Sequence, residues 1–281
     1  MPWKFSTNID EYVDAAWPLL ASDPVRNTIG LTAAENSRRR LKPTEPAEQF
    51  GWWVNERGEV AGCVSITPPW PLLLVVTPDE SMAPLVQSLQ DHGIAPIGVN
   101  GPSDPAATFG ALWNAATGQR AVLHDAIRLF ELRELVPTTR RPSGAARSAE
   151  TGDVSLLARW YQAFGIEVKH PLGDAEEEVR ARLESGGISL WCDEAGEVVS
   201  LVGYTAPVVD VSRIGPVYTP LEHRGKGYAE ALTYEVSRDH VTRNLRVVLH
   251  TDQANPTSNA LYQRLGYIPI MDRMTLDFED E

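Results

Sequence analysis

Val217-Tyr218-Thr219-Pro220-Leu221-Glu222-His223-Arg224-Gly225-Lys226-Gly227-Tyr228-Ala229 reads as the end of a strand, a break at Pro220, a glycine-bearing turn and the start of a helix. Tyr228, Leu232 and Val236 recur at steps of four, with Ala229 and Ala231 beside them, which is helical spacing. Gly225 and Gly227 carry no Cβ, so backbone amides can approach a ligand closely. Unpaired amides and the positive end of the helix dipole make a helix start an anion site, most naturally for phosphate. Arg224 and Lys226 add two cations at that place. The stretch is not a Walker A loop, since no Gly-Lys-Ser/Thr follows at the required spacing. Nor is it a dinucleotide fingerprint, because Glu230 stands at the third glycine position.

A second stretch, Leu249 to Tyr267, supports the first. Asn255 is a good N-cap, and Pro256 fits the first helical position, where its missing N–H costs nothing. Leu261 and Leu265 form an i,i+4 apolar pair, and Gly266 is a C-terminal stop. Arg224-x-x-Gly227-x-Ala229 directly after a strand, followed by Asn255, then Tyr262 seven positions on, then Gly266-Tyr267, resembles the acyl-CoA site of the GCN5-related N-acetyltransferase (GNAT) superfamily.

The 281-residue length suits two domains of ordinary size. A formal net charge of −13 argues against a general role on nucleic acid or anionic membrane. The two cysteines, Cys63 and Cys192, lie in separate apolar runs and read as buried thiols of a reducing compartment. The start of the chain lacks the apolar core of a signal peptide, and no stretch approaches the ~20 consecutive apolar residues of a membrane span. A cytoplasmic location is the expectation.

The pattern along the chain repeats. Helices are predicted at Ile9 to Leu20 and Asn27 to Arg40, then strands at Phe50 to Asn55, Val60 to Thr67 and Leu72 to Val76. A helix from Met82, a strand at Ile94 to Val99, a helix at Ala106 to Ala116 and a long strand from Ala121 to Leu135 complete the first set. Residues 137–145, rich in Pro, Gly and Arg, have linker composition. The order then returns: a strand at Ala145, helices at Asp153 to Phe164 and Asp174 to Ser185, strands at Ile188 to Cys192 and Val198 to Tyr204, the Ile214 to Thr219 strand, the phosphate turn and its helix. The strand from Arg246, the Asn255 helix and a last strand from Ile268 to Leu276 close the set. The triplet Arg38-Arg39-Arg40 reads as a solvated helix end, where cations are favoured anyway.

The chain therefore reads as a mixed α/β protein made of two copies of one unit, with domains at 1–136 and 146–281. The resemblance implies tandem GNAT-like domains, each with a central, mostly antiparallel twisted sheet flanked by helices. In the first copy Thr77-Pro78 matches Thr219-Pro220, but Asp79-Glu80-Ser81-Met82-Ala83-Pro84 has no glycine and begins with two acids that would repel a pyrophosphate. The N-terminal copy is expected to be degenerate at that position.

The resemblance also implies acyl-CoA, most simply acetyl-CoA, as co-substrate and a primary amine as acceptor, attacking directly in a ternary complex. It assigns the backbone of Val217, Tyr218 and Thr219 to the pantetheine arm. It assigns Arg224, Gly225, Lys226, Gly227, Tyr228 and Ala229 to the pyrophosphate, Asn255, Ser258 and Tyr262 to further acyl-CoA contacts, and Tyr262 to the role of general acid. A non-catalytic acyl-CoA sensor is the alternative. No acid lies on the Ile214 to Thr219 strand, so the general base stays open among Glu167, His170 and Asp210. Trp160, Tyr161 and Phe164 read equally as an acceptor wall or as core. No metal site is expected, and the acceptor, the acyl chain length and the oligomeric state, with a homodimer among the options, stay open.

Overall fold

The computed structural model describes residues 3–40, 44–139, 141–169, 173–184 and 187–280. In chain order the first elements are β1 (Trp3–Ser6), α1 (Ile9–Ser22), α2 (Thr28–Arg39), β2 (Gln49–Val54), β3 (Val60–Ile66), β4 (Leu72–Val76), α3 (Asp79–Asp91), β5 (Gly98–Pro102), α4 (Ser103–Thr117) and β6 (Arg120–Leu132). They are followed by β7 (Ala145–Ser148), α5 (Val154–Glu167), α6 (Ala175–Glu184), β8 (Ile188–Cys192), β9 (Val198–Tyr204), β10 (Val211–Tyr218), α7 (Tyr228–Thr242), β11 (Arg246–Asp252), α8 (Pro256–Arg264) and β12 (Tyr267–Glu279). Among the described residues no helix is long and apolar enough to cross a membrane.

The chain forms two compact units. One comprises Met1–Leu129, Thr251–Ala254 and Ile270–Glu281; the other comprises Phe130–His250 and Asn255–Pro269. This differs from the expected boundaries of 1–136 and 146–281, because the C-terminal segment from Ile270 belongs to the first unit. The reason lies in strand pairing. β5 pairs with β12 antiparallel, Arg273 to Asp277 opposite Pro102 to Gly98, which gives the β5 edge a partner that the N-terminal half does not supply from its own sequence. Leu276 joins the same core as Phe109 and Trp113. The stretch expected as a linker is tied down as well. Val136 N–H donates to the Leu265 carbonyl at 3.1 Å, and the Trp191 indole donates to the Ser143 carbonyl at 3.0 Å.

In the first unit the strand order is β1-β2-β3-β4-β5-β12-β6. β1–β2, β2–β3, β3–β4 and β5–β12 pair antiparallel, and β4–β5 pairs parallel. Asn8 caps α1 by accepting from the Asp10 amide, and Tyr12, Ala16 and Leu20 turn inward at steps of four. Met82, Leu85, Val86 and Leu89 do the same for α3. The arginines at the end of α2 meet carboxylates: Arg38 and Arg39 pair with Glu35, and Arg40 with Glu48. β1 was not predicted, since four residues are too few to show a period; Trp3 anchors it, its indole donating to the Ser81 carbonyl at 2.9 Å. β5 lies later than the predicted 94–99, and Ile97 is exposed.

In the second unit the order β11-β10-β9-β8-β7 has one parallel pair, β10 with β11. Helices cover both faces. α7 packs with Val202, Ile214, Val247 and Leu249, while α5 and α6 supply Leu157, Tyr161 and Val179 to a separate cluster with Leu190 and Leu201.

The repeat read from sequence is present at atomic detail. The β2–β3 turn has Asn55 Oδ1 accepting from the Arg57 and Glu59 amides; the β8–β9 turn has Asp193 Oδ1 accepting from those of Ala195 and Glu197. Gly58 at φ 80° and Gly196 at φ 81° occupy the same left-handed position. Register shifts fall beside both turns, at Trp53/Val54 and Trp191/Cys192.

The inserted C-terminal strand makes an expected outcome specific. A Cβ on Gly98 would lie 2.3 Å from the Leu276 carbonyl oxygen and 3.2 Å from the Asp277 Cα. Both obstacles are backbone, so Gly98→Ala forces β5 and β12 apart. Overpacking of this kind costs ~1–3 kcal/mol, to be read as a lower denaturation midpoint. A midpoint equal to the parent's would contradict the β5–β12 register.

Candidate functional site

The site begins where β10 leaves β11. Parallel pairing runs from Val211↔Arg246 to Ile214↔Leu249 and stops there. On its other side β10 stays paired with β9, through a register shift between Ile214 and Val217 that takes up Gly215 and Pro216. Pro216 has no N–H to give a ladder, and a bulge turns the strand. Residues 215–218 therefore offer backbone groups on the side that β11 no longer covers. The end of the strand is pinned from below by Ser200, whose hydroxyl donates to the Tyr218 carbonyl at 3.2 Å and shares a 2.8 Å hydrogen bond with the Thr219 hydroxyl. Ser200 was not singled out in the sequence, although a serine between Val199 and Leu201 is the kind of buried polar residue that needs such a partner.

Beyond Pro220 a short 3₁₀ turn (Leu221–His223) uses the His223 and Arg224 amides internally, on the Pro220 and Leu221 carbonyls. Gly225 has φ 77° and Gly227 φ 90°, both left-handed, so the loop bends with amides turned outward at little steric cost. Gly227 is the N-cap of α7 and has no side chain to cap it. The helix ladder opens with the Ala231 amide donating to the Gly227 carbonyl at 3.0 Å. The amides of Tyr228, Ala229 and Glu230 thus point out of the first turn towards whatever acceptor arrives. A Cβ built on Gly225 meets nothing within 4 Å, so the space before the loop is open. Arg224, Gly225 and Lys226 are exposed.

Arg224 is held rather than loose. Its Nε donates to the Thr219 carbonyl at 2.7 Å, and Nη2 reaches both Glu167 oxygens at 2.7 and 2.8 Å. The guanidinium lies 5.8 Å from the centre of the Tyr218 ring. Glu167, one of the three base candidates, is therefore engaged as an ion-pair partner of the loop. Asp210, the second, pairs in a fork with Arg246 at 2.7 and 3.0 Å. It precedes the paired end of β10, the end opposite the loop, and fastens the parallel ladder there. His170, the third, lies outside the described residues.

α8 is placed by Asn255, whose Oδ1 accepts from the Ser258 amide at 3.0 Å, and by Arg264, which pairs with Glu230 of α7 at 2.6 Å. The Asn255 side chain and the Ser258 amide thus serve the helix cap. Tyr262 is buried, in one cluster with Tyr228, Leu232 and Tyr267, against which Val217 and Leu261 pack. Its ring packs edge-on to Tyr267 with centroids 6.0 Å apart. Burial holds its phenol well above the ordinary value, so it stays protonated. Tyr228 at the start of α7 and Tyr262 thereby share one core cluster, with the strand residue Val217 packed against it.

The first copy lacks this loop. α3 starts at Asp79 immediately after Pro78, and Asp79 and Glu80 fill its first turn. The Ser81 amide and hydroxyl both return to the Pro78 carbonyl, at 2.9 and 2.7 Å.

The loop geometry can be tested directly. Gly227→Val places a branched side chain at φ 90°, which costs ~1–2 kcal/mol in the left-handed region and puts methyl groups over the first-turn amides. Charge-assisted hydrogen bonds are worth ~1.5–3 kcal/mol each, so acetyl-CoA affinity is expected to fall at least tenfold, measured by calorimetric titration of a variant shown to be folded. Unchanged affinity would remove the loop from phosphate binding.

Residues 196–276 match the family described as FR47-like protein. No curated protein matches the chain. Among solved structures, a GCN5-related N-acetyltransferase from Sphaerobacter thermophilus is similar at a TM-score of 0.61 and 20% identity, covering 86% of this chain and 84% of that one. A GNAT-family acetyltransferase from Colwellia psychrerythraea has a TM-score of 0.60 at 11% identity and full coverage of both chains. A tandem GNAT protein from the clavulanic acid biosynthesis pathway has a TM-score of 0.56 at 17% identity, covering 98% of each. The chain has the GCN5-related N-acetyltransferase fold in tandem, and the stretch that carries its FR47-like family match is the one that contains β10, the glycine loop, α7 and α8.

Proposed function

We propose that this protein is an acyl-CoA-dependent N-acyltransferase that passes an acetyl group to a primary amine by direct attack. The observation that carries this reading is the parting of β10 from β11 after Ile214↔Leu249, which opens onto an uncapped, glycine-entered helix start. The amides of Gly225 to Ala229, with Arg224 and Lys226, would hold the diphosphate. The freed backbone of β10 from Val217 to Thr219 would pair with the amide-bearing arm in the manner of a strand, and an amide there would polarise the thioester carbonyl. Acyl-CoA brings the activated acyl group: the amine nitrogen bonds to the acyl carbon, the carbon–sulfur bond breaks, and the amine proton leaves to solvent.

Tyr262 would meet the departing thiolate. A phenol shifted upward by burial is a weak acid but a competent hydrogen-bond donor, so its role is to stabilise sulfur charge and return a proton. The first copy serves as a scaffold without a diphosphate loop of its own. The two free thiols fit a reducing, cytoplasmic setting. A second reading, acyl-CoA binding without turnover, draws on the ion pairs that occupy Glu167 and Asp210 and on a motif strand, Val211 to Tyr218, that holds no carboxylate.

Thiol release from acetyl-CoA over a panel of amines separates the two. Turnover supports the transferase; tight binding with no turnover on any acceptor supports the sensor. For Tyr262→Phe the ring and its packing stay, so acetyl-CoA affinity is expected to hold while kcat falls by ~10²–10⁴, the usual worth of a positioned acid. A Phe variant with the parent's kcat would take Tyr262 out of the chemistry. The raised phenol pKa also fixes a sign with pH: kcat should show no alkaline decline below pH ~10, the ordinary value for tyrosine, and a decline near neutrality would assign the donor elsewhere.

A further inference from the structure

We propose that His250 of β11 is the general base, taking the proton that the acceptor amine sheds as its nitrogen bonds to the acyl carbon. The inference rests on the acyltransferase reading and supplies the group that this reading lacks.

The backbone fixes its place. Ile214 and Leu249 are the last paired residues of the parallel ladder, so Gly215 and His250 are the first residues of their strands beyond the parting. Leu249 and Val247 face the α7 core, and side chains alternate along a strand, so His250 faces the α5–α6 side of the sheet. The three residues before it, Val247 to Leu249, are fully buried, whereas His250 is partly exposed. An imidazole thus stands at the mouth of the gap, where an acyl arm lying along the freed edge of β10 would bring its thioester.

A second observation marks the same point on the same side. A Cβ on Gly203 would lie 2.9 Å from the Tyr161 hydroxyl and 3.0 Å from the Gly215 oxygen, so that hydroxyl is beside the first residue past the parting. Tyr161 is 1% exposed, and its oxygen has no hydrogen-bond partner among the described residues. Buried hydroxyls in native proteins are satisfied by protein, ligand or water, so this one calls for a polar visitor at the fork.

The chemistry favours histidine here. β10 holds no carboxylate, and Glu167 and Asp210 are each paired with an arginine. Of the other described histidines of this unit, His223 lies in the 3₁₀ turn, 3.8 Å from Glu197, and His240 is buried near the end of α7 with Nδ1 bonded to the Val236 carbonyl. Charged groups on the face of His250 are Arg213 of β10, Arg182 at the Gly215 carbonyl, and Glu131 of β6, which pairs with Arg133 at 2.9 Å. Imidazole, with an ordinary pKa of ~6.5, is largely neutral and still basic at neutral pH. One ring nitrogen suffices for the proton, and a partner on the other fixes the tautomer. In the step, the amine nitrogen bonds to the acyl carbon and its proton passes to His250. The carbon–sulfur bond breaks, the thiolate is protonated through Tyr262, and the imidazolium releases its proton to solvent.

The test uses the full chain, acetyl-CoA and the best amine from the thiol-release panel. In the parent, kcat/KM should rise from acid pH to a plateau, with a midpoint within about one unit of ~6.5. His250→Gln should lower kcat/KM by ~10²–10⁴ and abolish that acid limb, while acetyl-CoA affinity by calorimetry stays at the parent's value. Added imidazole should restore part of the turnover of His250→Ala, which a purely structural role would not allow. A readout apart from turnover is the His250 ring resonance in NMR, identified by its loss in the Gln variant. It should titrate between pH 5 and 8 and shift when the N-acetyl product of that amine is added to the CoA-saturated parent. A Gln variant with the parent's kcat/KM, an acid limb that survives in it, or a ring that neither titrates nor shifts would overturn the proposal. Turnover that persists without His250 would overturn the base and leave the transferase intact. A parent that releases no thiol with any amine would sink the transferase and the base with it.

Discussion

The structure of the second unit depends on the end of one hydrogen-bonded ladder. β10 and β11 pair in parallel for four residues and then separate, because Gly215 and Pro216 bulge β10 towards β9 and remove an amide from the ladder. Unpaired strand edges invite an extended ligand in water and are costly when buried dry. Everything around the gap keeps it in shape: Asp210 and Arg246 clamp the closed end, Ser200 fixes the far end of β10, and α8 is braced on α7 through Arg264 and Glu230. A sheet without these ties would be free to re-pair across the gap.

The first unit repeats the device and stops short of using it in the same way. β4 and β5 pair in parallel only at Leu72↔Val99 and Leu73↔Asn100, and a register shift again sits on the antiparallel side, between Cys63 and Val64. The hairpin turns share the same backbone and Oδ1 hydrogen bonds. What differs is the length of chain between strand and helix. Seven residues, Leu221 to Gly227, stand where the first copy has none, and their left-handed glycines, Gly225 and Gly227, lead the chain into the α7 start. The acids at Asp79 and Glu80 then satisfy the α3 dipole with side chains of the protein itself.

The sequence carried most of this. Periodicity located the helices because each buries one stripe, as Tyr12, Ala16 and Leu20 show. Gly225 and Gly227 were legible because only glycine is at ease at their φ values. The strand exchange at the C-terminus was not legible, since nothing local to 270–279 says which sheet edge it will complete. The partner of Arg224 was also hidden: Glu167 lies far away in sequence, and a lone carboxylate in a loop reads as a base as readily as an ion-pair partner. Tyr262 shows a different limit. Its spacing from Leu261 and Leu265 suggested one face, yet a nine-residue helix wedged beside Tyr228 and Tyr267 buries another. Tertiary packing, not periodicity, selects the buried face of so short a helix.

The Glu167–Arg224 pair shows how a loop can be prepared without being blocked. Both side chains are nearly half exposed, so solvent screens the pair and its net worth is at most ~1 kcal/mol. A diphosphate brings more charge and meets the helix amides as well, so it can outcompete or share the guanidinium. The pair does its work before the ligand arrives. An arginine loses ~1.5–2 kcal/mol of rotamer freedom when it is fixed, and here the Thr219 carbonyl, the Tyr218 ring and Glu167 have already fixed it. That cost is met in folding and not in binding, which is the energetic meaning of preorganisation. Around Arg224 the charge is exposed and balanced, as suits a ligand that comes and goes.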